Sequence, residues 1–149
     1  MIACCTRPVS RASLSALRPL IKLHLHNDPE LYLISAVEPA TEGRPAALLV
    51  RGQRWSGAVV LQTHSAPQAL PALTYETLKE SHFAALLALR PDVVLLGTGS
   101  RQRFARPALY AALTAAQIGV DFMDTAAACR TYNILAGEDR AVVALLFVE

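Results

Sequence analysis

The sequence predicts a single α/β domain, strand-rich in its first half and βαβαβ in its second. Three observations carry this reading. At 149 residues the chain suits one core, because two half-sized cores would each bury too little surface to offset their conformational entropy. The apolar residues before His64 recur at short spacing between turn-forming residues, the pattern of strands. From Thr74 onward, segments of helical spacing alternate with short continuous apolar runs, an order that requires crossovers and parallel pairing.

The elements follow in order. Leu23, Leu25, Leu31, Leu33 and Ile34 read as strand residues around the turns Asn27-Asp28-Pro29 and Glu38-Pro39. Ala46 to Val50 and Trp55 to Leu61 flank Arg51-Gly52-Gln53-Arg54, where Gly52 is free to take φ > 0 and close a hairpin. Ser65 to Pro71 reads as a loop, since Pro67 and Pro71 cannot donate to a ladder. Thr74 caps a helix whose apolar face carries Leu78, His82, Ala85 or Leu86, and Leu89, ending before Pro91. Val93 to Leu96 is a buried strand running into Gly97-Thr98-Gly99-Ser100. Pro107 opens a helix through Gln117 that Gly119 stops, and Val120 to Met123 is the next strand. Asp124 or Thr125 caps a last helix to about Leu135, with Gly137 as its stop, and Ala141 to Val148 is the final strand.

Composition bounds the function. Hydrophobic residues are 53% and charged residues 17% of the chain, enough for a sizeable core in a soluble domain. The longest apolar runs fall short of the ~20 residues of a membrane-spanning helix. Arg7, Arg11, Arg18 and Lys22 precede the first acid, Asp28, so residues 27–149 carry 10 basic against 12 acidic side chains. That balance lacks the broad positive field of a nucleic-acid binder. Cys4, Cys5 and Cys129 form neither a disulfide framework nor a metal-ligand spacing, which fits a reducing compartment, the cytoplasm. Residues 1–20 read as a flexible extension ahead of a domain at 21–149. They lack the apolar core of a secretory signal, but an Arg- and Ser-rich, acid-free start also matches a mitochondrial transit peptide. The Ala-, Leu- and Arg-heavy usage fits a bacterium with GC-rich DNA.

Two segments could carry chemistry. Gly97, Thr98 and Gly99 after a buried strand invite a phosphate, but Gln102 stands where a third glycine is expected and no Gly-Lys-Ser/Thr follows. There remain Arg101, Arg103 and Arg106 at a strand's carboxyl end, suited to an anion or an acidic protein surface, or else solvated or capping local carbonyls. The second segment starts at Asp124 and Thr125 and opens toward the same sheet edge. On its helix Ala127, Ala128, Thr131, Ile134 and Leu135 are expected inward, and Ala126, Cys129, Arg130 and Asn133 on another face. The helix start and Arg130 would favour a Cys129 thiolate, yet no histidine base is in view, and free cysteines are commonly buried small hydrophobes. Asp124 reads as a cap. His82 reads as a core or rim residue, and His24 and His26 share a strand face without a third ligand, so no metal or other cofactor is assigned.

The run Pro91-Asp92-Val93-Val94-Leu95-Leu96-Gly97-Thr98-Gly99, with Arg103-Phe104, Pro107-Ala108-Leu109, Gly119-Val120 and the stretch from Met123 through Asn133 to Leu135, resembles the Mth938-like (DUF498, Xcc1710-like) family. Val50 to Trp55 and His82-Phe83 agree more loosely, and the resemblance covers about residues 21–148. It implies a three-layer α/β fold on a mixed central sheet and supplies no catalytic residues. Through a mitochondrial member that assembles respiratory complex I, it implies a non-catalytic accessory protein contacting respiratory-complex subunits. The alternative is a small-anion binder or enzyme using a cleft between the Gly97-Ser100 loop and the helix start at Asp124.

Overall fold

Alternating apolar residues and tight turns build β1 (Ile34–Glu38), β2 (Ala47–Val50) and β3 (Gln53–Trp55), which pair antiparallel in the order β1-β2-β3. The computed structural model describes residues 28–149. Leu23, Leu25, the His24 and His26 pair, Cys4, Cys5 and the 1–20 extension therefore lie outside the described residues. The expected hairpin turns on Arg51 and Gly52, at φ 51° and 77°, as a two-residue loop between twisted strands requires.

At Gly57 the chain changes sheet. Trp55 to Leu61 reads in sequence as one strand, but Gly57 at φ 74° breaks it, and β4 (Gly57–Gln62) belongs to a second sheet. The expected loop after it is instead β5 (Ser65–Ala69), antiparallel to β4. Pro67 is tolerated because β5 is an edge strand whose register shifts beside it. Thr74 starts only a 3-10 turn (Tyr75–Thr77), closed by its N–H donating to Thr77 Oγ1 at 3.0 Å. Helix α1 (Glu80–Leu87) begins later than expected and buries Phe83 and Leu86, while Leu89 is 40% exposed.

The second half follows the predicted order: β6 (Val93–Thr98), a 3-10 turn (Pro107–Tyr110) into α2 (Ala111–Ala115), β7 (Gly119–Met123), α3 (Thr125–Gly137) and β8 (Val142–Val148). Pro107 opens its turn as expected, but Gln117 at φ 60° makes the stop, and Gly119 begins β7.

The five strands order as β5-β4-β8-β6-β7. β8, β6 and β7 run parallel, and β4 is antiparallel to both its neighbours. All seven residues of β8 are buried, the mark of a strand covered on both faces. Its alternate residues feed two cores. Val142, Ala144, Leu146 and Val148 meet α3 and the small sheet, whereas Val143, Leu145 and Phe147 meet Phe83, Leu86 and Leu113 of α1 and α2. A mixed sheet thus lies between two outer layers.

Helix α3 is rotated from its expected facing. It buries Thr125, Ala128, Cys129, Tyr132 and Ala136 and leaves Ile134 62% exposed. The alanine run provides no strong periodicity, so the bulky, fully buried Tyr132 sets the rotation. No helix among the described residues is long and apolar enough to cross a membrane.

Candidate functional site

The parallel strands β6, β7 and β8 end at one edge, where the two loops singled out in the sequence meet the terminal Glu149. Gly97 is there because α3 lies directly on the strand. A Cβ at this position would fall 2.7 Å from Leu146 Cδ2 and 3.1 Å from Thr125 Cα. Gly99 sits at φ 92°; its N–H donates to Thr125 Oγ1 at 2.9 Å and its carbonyl accepts from Thr125 N at 2.9 Å. Thr125 Oγ1 in turn donates to Phe147 O at 2.6 Å. The Gly99 groups that could have faced a phosphate are spent on closing the loop against α3 and β8. Thr98 is fully buried, its hydroxyl donating to Arg101 O at 2.7 Å and accepting from Arg103 N at 2.9 Å.

Arg103 is a structural hub. Its Nε and Nη2 donate to Thr98 O at 3.0 and 2.7 Å, Nη1 pairs with Glu76 at 2.9 Å, and Nη2 with Glu149 at 3.0 Å. The guanidinium also lies 4.2 Å over the Tyr75 ring, a favourable cation–π placement. Burial raises the Tyr75 phenol pKa against the pull of Arg103. Glu76 is held below the usual carboxylate range first by its own backbone N–H and then by Arg103. Arg103 therefore caps a carbonyl at the end of β6 and ties it to the Tyr75-Glu76 turn and to Glu149. Among the described residues no carboxylate lies within 4.0 Å of Arg101, Arg106 or Arg130, all of which are exposed.

The helix start is equally committed. Asp124 accepts from Ala127 N at 2.8 Å as the N-cap. Asn133 clamps β1, accepting from Ile34 N at 2.9 Å and donating to Ile34 O at 2.7 Å, so its amide stands in for a neighbouring strand. Cys129 is 3% exposed, and burial pushes its thiol up to about 12, outweighing Arg130. At neutral pH it is a protonated core side chain. His82 accepts from Lys79 N through Nδ1 at 3.0 Å and sits half-buried at the rim. No group of three His, Cys, Asp or Glu among the described residues could hold a metal.

These residues do not share one cleft. The hollow between the two loops is about 140 Å³ and is lined by Gly99, Ser100 and Thr125 with three carboxylates, Glu38, Asp124 and Glu149. It is smaller than the ~300 Å³ at which small-molecule pockets begin, and no Arg or Lys lines it to hold an anion. Cys129, Arg130 and Asn133 border a separate groove between β1 and α3. Arg103 faces a third, about 610 Å³, with Arg101, Arg106, Tyr75, Leu109 and Phe104. Phe104, which the sequence reading did not select as a site residue, is 73% exposed with its ring 5.9 Å from Phe122. An aromatic set between arginines in Arg103-Phe104-Ala105-Arg106 was the available signal.

The profile of a family described as "Protein of unknown function (DUF498/DUF598)" matches residues 42–147. The chain belongs to this DUF498 family. A Bordetella pertussis protein described as an Mth938-like domain superposes with TM-score 0.68 at 28% identity, over 86% of this chain and 92% of that one. A Bos taurus "NADH dehydrogenase [ubiquinone] 1 alpha subcomplex assembly factor 3" is 29% identical over 131 residues, covering 80% of this DUF498 chain and 71% of the relative. A Francisella tularensis "13 kDa major membrane protein" is 35% identical over 71 residues, 48% of this chain; the chain spans only 58% of that relative's length.

Proposed function

We propose that this DUF498 protein is a non-catalytic accessory protein that binds protein partners during assembly of a respiratory complex, complex I in the first instance. The observation that carries the reading is the extent of likeness to the bovine assembly factor, 80% of this chain. The geometry supports it: Gly99, Arg103 and Thr125 at the carboxyl edge are spent on internal hydrogen bonds, and Cys129 is a buried thiol. The proposal places the protein in the cytoplasm or, if its leader is a transit peptide, the mitochondrion.

A small anionic ligand is the second reading. Exposed Arg101 and Arg106 favour it, and they would place the ligand in the Arg103 groove rather than between the loops. Affinity purification of the full chain from its native host, read by mass spectrometry, tests the first reading. Respiratory-complex subunits enriched over an unrelated bait support it; a bait that recovers none of them counts against it.

A further inference from the structure

The fold leaves a surface around Phe104 whose composition folding does not require. Phe104 is 73% exposed, on a loop whose neighbours Arg101 and Arg106 have no carboxylate partner among the described residues. An isolated exposed Phe needs no explanation, but this ring continues an aromatic row. Phe104 lies 5.9 Å from Phe122, Phe122 lies 5.2 Å from Tyr110, and Tyr110 lies 6.2 Å from the fully buried Phe83. The row leads from the α1–α2 core to the surface and holds Phe104 from behind. Arg103, fixed by Thr98, Glu76, Glu149 and Tyr75, stiffens the loop beneath it. An exposed aromatic backed by the Phe122 ring, beside guanidinium groups free of carboxylate partners, is the composition of a binding hot spot.

Charge selects the occupant. The groove carries two arginines, Arg101 and Arg106, without a carboxylate partner among the described residues, while Arg103 and Glu76 are already paired with each other and Arg103 also with Glu149. Gly99 and Ser100 line a separate hollow with Glu38, Asp124 and Glu149 and no Arg or Lys. An acidic segment is attracted to the Arg101 and Arg106 side and finds no cation in the other lining. The apolar lining, Leu78, Leu109 and Phe104, calls for an apolar or aromatic side chain in the same segment.

We infer that the groove bounded by Arg101, Phe104 and Arg106 docks an acidic segment of a partner protein, anchored by an apolar or aromatic side chain against Phe104. This rests on the partner-binding reading above and adds where and by what chemistry the partner is held.

The test is selection from an unbiased displayed peptide library on the full chain, followed by affinity measurement on the enriched peptides. The expected peptides carry two or more Asp or Glu next to Leu, Phe or Trp. Their affinity falls about tenfold or more in an Arg101→Glu, Arg106→Glu double variant and in Phe104→Ala. It also falls when salt is raised from about 50 to about 300 mM. Arg130→Glu, on the opposite face, is the control and leaves it unchanged. All of these positions are exposed, and circular dichroism verifies the fold of each variant. Enrichment without acidic residues, or affinity equal in the double variant, overturns the inference. So does sedimentation with phosphatidylcholine vesicles containing about one-third phosphatidylglycerol that the double variant loses, since that assigns the arginines to a lipid surface. In the native purification, subunits recovered equally by wild type and double variant refute this surface and leave the accessory reading standing. No subunits with wild type refutes the accessory reading, while the peptide result still decides whether the groove takes an acidic segment.

Discussion

Replacing Thr125 by valine tests whether the glycine turn is a packing junction. Thr125 is 6% exposed, and its hydroxyl both accepts from Gly99 N at 2.9 Å and donates to Phe147 O at 2.6 Å. Valine has nearly the same shape and keeps the methyl group, so apolar burial is maintained while two buried partners lose a hydrogen bond. Stranding the Gly99 N–H costs about 1–3 kcal/mol, and the Phe147 carbonyl, which sits in a strand, adds about 1 kcal/mol. The expected loss is therefore about 2–4 kcal/mol, read by urea denaturation at constant slope. Thr125→Ser keeps the hydroxyl and removes one methyl, at about 1 kcal/mol. The order is diagnostic, because burial alone ranks valine above serine and the hydrogen bonds reverse it. A valine variant as stable as the serine variant refutes the account of this turn.

Three further outcomes follow from the same structure. Arg103→Gln removes the cap on Thr98 O and the Tyr75 contact and should cost about 1–3 kcal/mol after discounting its exposed ion pairs, whereas Arg101→Gln should stay within about 0.5 kcal/mol; equal losses in urea melts contradict the division of roles. The Cys129-containing peptide should resist iodoacetamide at pH 7 in the folded protein and react on unfolding, since its thiol is buried and pushed up to about 12; rapid labelling of the native state contradicts this. Cys129 and Tyr132 are both held neutral by burial, so the unfolded chain loses their protons first as pH rises past the ordinary Cys and Tyr values. It then binds fewer protons than the native state, and stability falls by about 1.4 kcal/mol per pH unit for each such group. Urea melts from pH 8 to 11 should show this decline, and Tyr132→Phe should flatten its upper part; an unchanged slope in that variant contradicts the Tyr132 contribution.

Several elements were legible because local chemistry sets them. Asp124 caps α3 as its residue type predicts, the hairpin turns at Gly52, and the continuous apolar runs are β6 and the central strand β8. The sheet change at Gly57 was not legible, since one glycine within an apolar run also fits a bulge; only its φ of 74° and the switch of partners reveal the break. Pro67 argued against β5, yet at an edge strand with shifted register its missing N–H is tolerated. Within the site, the glycines were legible as a turn but not as the reason for it. The 2.7 Å approach of Leu146 to a Gly97 Cβ depends on β8 lying beside β6, a register the local sequence does not encode. Likewise Arg103 was selected as an anion-facing residue, while its partners Glu76 and Glu149 come from positions remote in the chain.

The most direct measurement for the central claim is the amount of assembled NADH:ubiquinone oxidoreductase, by native gel and in-gel activity, in a strain lacking this protein and in one complemented with the full chain. The account predicts less assembled complex in the deletion strain while individual subunits are still synthesised, and recovery with the wild-type chain. Unchanged assembly in the deletion strain contradicts it.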